Sequence, residues 1–178
     1  MSNVSSKLRR IVTGQSAEGR SYVVLDGPPA EILALRGHEG VQEIWSLPPG
    51  PLSRTEKVDR GKGNVTLAPA SHGVKLRWFT LDPARHDETP EAYSKIFDLI
   101  GGADARPDTT RHPAMHLTQT IDFIILLQGR VRLLLDDDER VLWPGDVVVQ
   151  RGTNHAWICE SDEPALLVAV LIDKEFAD

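Results

Sequence analysis

From His116 onward the chain divides into short apolar, β-branched runs, each closed by a turn signal, and this spacing leaves few folds open. Residues 116–127, 131–135, 140–143, 146–150, 155–159 and 165–172 read as strands. Between them lie the acidic turn Asp136, Asp137, Asp138 and Glu139, the Pro144-Gly145 turn and the turn at 151–154. Six short strands in series predict an all-β sandwich or barrel. After Asp122 both faces of the first run are apolar, as are both faces of 165–172, so the sheet needs a cover. The N-terminal half or a second copy of the chain would supply it, and a homodimer is expected.

The first half is also strand-rich. Residues 9–13 and 20–25 flank a GQSAEG turn and predict a hairpin, and 32–36 and 41–47 are further short strands. Residues 48–63 hold three prolines and three glycines and read as a long loop, after which 74–81 is β-branched and aromatic. One helix is expected near 90–100. Thr89 suits its N-cap, Pro90 its first position and Glu91 the positive end of its dipole. Tyr93, Ile96, Phe97 and Ile100 fall on one face, and Gly101-Gly102 ends the helix.

Size and composition bound the function. The 178 residues suffice for one domain, and 40% hydrophobic with 26% charged residues is a globular balance. The longest apolar run, 165–172, is far short of the ~20 residues a membrane helix needs. The net charge of −6 is the wrong sign for tracking phosphates, so neither nucleic acid nor membrane is an expected partner. A polar start without an apolar stretch, and a single cysteine, Cys159, fit a cytoplasmic protein. Gly14-QSAE-Gly19-Arg20-Ser21 imitates a phosphate loop, but the strand-like SYVVLD after it supplies no helix N-terminus.

Strand parity sets out the chemistry. His116, Thr118, Thr120 and Asp122 share one face, and His155, Trp157 and Cys159 share another. Two histidines and an aspartate facing inward are costly unless hydrogen-bonded or held by a divalent metal, which favours neutral imidazole and carboxylate donors. Trp157 suits stacking on a planar ligand or filling the barrel, and Thr118 reads as lining the pocket. Cys159 reads as a small buried hydrophobe. Arg111 and Arg151 read as solvated or as partners of a substrate carboxylate, His38, His72 and His86 as surface residues, and the acidic turn as solvated.

The run His116-LTQTI-Asp122 with FIILLQ and Gly129 resembles the first motif of the cupin superfamily, His-x-His, a short spacer, Glu, six residues and Gly. WPGDVVVQRGTNHAW, with Gly145, Gly152 and His155, resembles the second. The resemblance covers 111–173 and is to small single-barrel (cupin 2 type) proteins. It implies a double-stranded β-helix, or jelly-roll, barrel whose motifs lie in 105–178. Residues 1–104 would form an extension of strands and loops packing on it, all within one structural domain. Thr118 stands where the second histidine is usual and Asp122 where glutamate is, so the implied metal ligands contract to His116, Asp122 and His155. That is the donor set of non-haem Fe(II) oxygenases. Asp122 is one methylene shorter than glutamate, which leaves direct ligation and a hydrogen bond to bound water both open. His112, four residues before His116, is a further candidate donor. The resemblance implies a divalent transition metal (Fe2+, Mn2+, Zn2+ or Ni2+) and a small organic substrate, handled by a metal-dependent dioxygenase or decarboxylase. The alternative is a non-catalytic small-molecule-binding or structural cupin.

Overall fold

A computed structural model describes residues 8–83 and 89–177. Eleven strands and one α-helix follow in the order β1 (Arg10–Gln15), β2 (Ser21–Gly27), β3 (Glu31–Arg36), β4 (Glu39–Leu47), β5 (Val74–Leu81), α1 (Pro90–Leu99), β6 (Thr120–Gln128), β7 (Val131–Leu135), β8 (Glu139–Leu142), β9 (Val147–Arg151), β10 (His155–Cys159) and β11 (Ala165–Asp173). The expected hairpin is β1 and β2, paired antiparallel. The other strands form two antiparallel sheets, a six-stranded one ordered β3-β4-β5-β11-β6-β9 and a three-stranded one ordered β10-β7-β8. Together they make the jelly-roll barrel, and α1 stands where the helix is predicted.

Alternation along the strands places the core between the sheets. In β6, Asp122, Ile124 and Leu126 are buried while Phe123 and Leu127 are exposed. Ile124 and Leu126 pack with Leu167 and Leu171 of β11 and with Val131, Leu133 and Leu142 of the smaller sheet. The β6–β7 turn is closed by Gly129 at φ 89°, where a side chain would also run into Ala165. This glycine belongs to the first sequence motif, and its role there is to let the turn close against β11.

The first half does more than lie on the barrel. β5 pairs with β11 over its whole length, and β4 and β3 follow outward, so these three strands extend the large sheet through backbone hydrogen bonds. α1 closes one end of the space between the sheets. Thr89 Oγ1 accepts the Ala92 N–H at 3.2 Å, and Tyr93, Phe97 and Ile100 pack on Leu33, Val65, Leu67 and Ala114. Among the described residues, the outer face of β6 and β9 has no such cover. Phe123, Leu127, Val147 and Val149 are all exposed there, and Phe123 pairs directly with Val149.

Arg10 and Asp59 tie the hairpin to the long loop with two charge-assisted hydrogen bonds of 2.6 and 2.5 Å, both side chains being largely buried. The hydrogen bonds from Arg10 hold the Asp59 carboxyl below its ordinary pKa, with burial opposing the shift. A carboxyl whose folded pKa is depressed stabilises the fold above its unfolded pKa of about 4, and that contribution is lost as pH falls through the folded value. The urea midpoint is therefore expected to fall below about pH 4. In Asp59→Asn this acid-side loss should be smaller, starting from a lower midpoint at neutral pH. Parallel midpoint–pH curves for the two proteins would remove Asp59 from the account.

Candidate active-site cavity

A cavity of about 160 Å³ lies between the two sheets, beneath α1. Most of its wall is apolar, contributed by Val41, Leu67, Phe79, Ile124 and Leu171 among others. The polar and charged wall residues include His116, His155, Asp122 and Arg77. Such a wall strips water from an apolar guest and leaves orientation to a few polar atoms.

His116 and His155 come together as the strand parity predicted, by a different local route. β6 begins only at Thr120, and His116 is held before it by an isolated antiparallel bridge to His155, with 2.9 Å N–H···O bonds in both directions. The two rings lie 4.3 Å apart between centroids, tilted by 48°. Phe97 stands 5.1 Å from the His116 ring, and Trp157 meets the His155 ring edge-on at 5.4 Å. The four rings form one continuous series, of which His116, His155 and Trp157 line the cavity.

The tautomers follow from the partners. His116 Nδ1 lies 3.0 Å from the Ala114 carbonyl and His155 Nδ1 lies 2.8 Å from the Thr153 carbonyl, and a carbonyl only accepts. Each Nδ1 therefore carries the proton and each Nε2 the lone pair. Neither Nε2 has a hydrogen-bond partner among the described residues. Burial pushes both imidazoles below their ordinary pKa, His155 to about 3 with the neighbouring His116 as a second cause. At neutral pH both rings are uncharged acceptors.

Asp122 lines the same cavity and is nearly fully buried. Burial raises its pKa to about 6, against a hydrogen bond from Thr120 and the charge of Arg77. Its Oδ1 lacks a hydrogen-bond partner, as does the Nε of Arg77. Among the described residues, no three histidine, cysteine, aspartate or glutamate side chains stand close enough to hold one ion. The expected set of His116, Asp122 and His155 thus shares a cavity without closing into a three-donor shell. The orphaned Oδ1 and two free Nε2 atoms are donors of the right chemistry, but their arrangement does not fit a divalent ion bound by all three.

Two other expected residues stand off the cavity wall. His112 does not join the cavity wall, because its Nδ1 accepts the Ala114 N–H at 3.1 Å and its ring meets Tyr93 edge-on at 5.6 Å. Thr118 is buried but not on the wall, and its hydroxyl is shared with Thr120 at 2.6 Å. It lies ahead of the first residue of β6 but is buried on the same face as Thr120 and Asp122. Trp157 lines the cavity as predicted. Cys159 is buried against Ser161, and Arg111 donates to the carbonyls of Leu135, Asp136 and Asp138, fastening the exposed acidic turn. His38 and His72 are exposed, while His86 lies outside the described residues.

Sequence reasoning missed Arg77 and its partners. Arg77 Nη2 donates to Glu43 Oε1 at 2.6 Å, Lys75 Nζ lies 3.7 Å from the same oxygen, and all three side chains are buried. The available signal was Lys75 and Arg77 two residues apart on an otherwise apolar strand, which puts two charges on one face. The counter-charge is invisible until register pairs Glu43 with Arg77.

A family model described as "Cupin domain" matches residues 104–171. The chain is 54% identical over 152 residues to "Phomopsin biosynthesis cluster protein C'" of Diaporthe leptostromiformis, covering 83% of this chain and 68% of that one. It is 33% identical over 173 residues to "Cupin-domain-containing oxidoreductase fogC" of Aspergillus ruber, covering 94% and 73%. Among solved structures, an RmlC-like cupin from Shewanella frigidimarina matches with a TM-score of 0.45 at 12% identity, over 82% of this chain and 86% of that one.

Proposed function

The chain belongs to the cupin superfamily, and from that premise we propose that it is an enzyme of small-molecule biosynthesis that takes a largely apolar organic substrate into its barrel cavity. The observation that carries this reading is a mostly apolar cavity lined by two uncharged imidazoles whose Nε2 atoms have no partner among the described residues. A volume of about 160 Å³ suits one ring, since a dry cavity of about 150 Å³ accepts benzene. The relatives named for biosynthesis clusters and as cupin-domain-containing oxidoreductases support a biosynthetic redox role. In this chain, Phe79, Leu171 and Trp157 exclude water and hold the ring, while His116 and His155 accept hydrogen bonds from its polar substituents. With purified protein and phenol as the probe, His155→Ala is expected to weaken binding about tenfold, as loss of one buried hydrogen bond implies. Equal affinities by calorimetry would remove His155 from the site.

The finer reading, a metal-dependent dioxygenase or decarboxylase, draws support from the same two histidines. Each ring is oriented through Nδ1 by a backbone carbonyl, as ligating imidazoles are, and a bound divalent ion would supply Lewis-acid or dioxygen chemistry. Against it stands the missing third donor among the described residues. Elemental analysis of protein purified without added metal separates the two. One transition ion per chain, lost in both His116→Ala and His155→Ala, would assign the nitrogens to metal; metal far below one per chain, with phenol binding intact, would assign them to substrate.

We also propose that a second copy of the chain docks on the outer face of β6 and β9. Phe123, Leu127, Val147 and Val149 form one apolar strip there, and the same strip on a copy is its own complement about a two-fold axis. The protein is expected to run as a dimer in light scattering and Val149→Lys as a monomer. A monomeric parent would overturn this assignment.

A further inference from the structure

Two hydrogen-bond acceptors, side by side in an apolar cavity, place a demand on the guest. His116 and His155 both donate through Nδ1 to backbone carbonyls, so both Nε2 atoms carry lone pairs, and neither has a partner among the described residues. Neither nitrogen is among the side-chain atoms sealed away without a partner, so both are open to a guest. With ring centroids only 4.3 Å apart, one small molecule spans the pair. A guest with a single hydroxyl satisfies one nitrogen and leaves the other desolvated, which costs free energy in an apolar site. A guest with two neighbouring hydroxyls satisfies both.

The walls specify the rest of the molecule. Tyr93, Phe79 and Trp157 line the cavity together with the two imidazoles, and aromatic faces and edges suit a flat ring. The volume suits one ring. We infer that the cavity recognises a single aromatic ring bearing two adjacent hydroxyl groups, a catechol, with one hydroxyl donating to His116 Nε2 and the other to His155 Nε2. This inference rests on the reading of the cavity as a substrate site and adds the chemical class of that substrate.

The test measures binding of catechol, phenol and 2-methoxyphenol to the full chain by calorimetry after treatment with EDTA. Catechol is expected to bind about tenfold more tightly than phenol, and the methyl ether, which has lost one donor, to bind like phenol or more weakly. His116→Ala and His155→Ala should each reduce the catechol-to-phenol ratio towards one. His155→Gln, which restores an acceptor oxygen, should recover part of it, and circular dichroism of each variant identifies any that fail to fold. Equal binding of catechol and phenol by the parent overturns the catechol assignment and leaves the cavity as a site for single rings. A catechol preference that survives in both alanine variants, or that disappears with EDTA, also overturns it, the latter by giving the nitrogens to an ion. Failure of all three ligands to bind overturns the substrate-site reading itself.

Discussion

Glu43→Ala is expected to lower the stability of this protein by about 3–5 kcal/mol, the scale for breaking a buried ion pair from one side. The carboxylate of Glu43 is the only acid in contact with Arg77 and Lys75 among the described residues, and all three side chains are 6% exposed or less. Burial already pushes the Lys75 pKa down, with the charge of Arg77 as the second cause, so the site resists cations even with Glu43 present. Removing the acid leaves two cations facing each other, held by the carbonyls of Thr66 and Leu67, the Thr66 hydroxyl and the charge of Asp122 acting on Arg77. Urea unfolding reads the loss directly, as a lower midpoint at unchanged slope. The origin of the loss can be separated from the change in volume. A triple variant, Glu43→Leu with Lys75→Leu and Arg77→Met, should recover part of the stability, because the cluster then holds no unpaired charge, while Asp122 loses the charge of Arg77. A single variant as stable as the parent would mean that water reaches the cluster.

Phe97→Ala is expected to cost a similar amount, about 3–5 kcal/mol for truncating a buried aromatic side chain. Phe97 is 6% exposed, packs with Tyr93 and Ile100 against the sheet, and receives the Arg106 guanidinium over its ring at 5.1 Å. The consequence reaches the site, because Phe97 is also the first ring in the series that continues through His116 and His155 to Trp157. Loss of the ring opens the cavity end under α1 and admits water beside His116. Phenol affinity is therefore expected to fall along with the urea midpoint, whereas Phe97→Leu should retain most of both. A stability loss with unchanged phenol affinity would separate the α1 contact from the cavity.

Parts of this architecture were written locally. The alternation in 120–128, the turn at Pro144-Gly145 and the period of Tyr93, Ile96, Phe97 and Ile100 each depend on a few neighbouring residues, and the strands and helix appear where those patterns predict. The helix cap is a three-residue matter, and Thr89 fills it. The same alternation reaches back past the start of β6 to Thr118, which is buried beside Thr120, but the cavity wall does not extend to it.

The sequence alone determined the class of fold, the succession of strands along the chain and the two histidines of the cavity, because periodicity, turn residues and motif spacing all act over short stretches of chain. Tertiary structure decided which residues meet those histidines. Sheet register brought Glu43 opposite Arg77, the loop path turned His112 towards Tyr93, and the placement of Asp122 beside Arg77 left the imidazoles without a third donor among the described residues. These contacts join segments distant in the chain, and their geometry exists only once the sheets have paired.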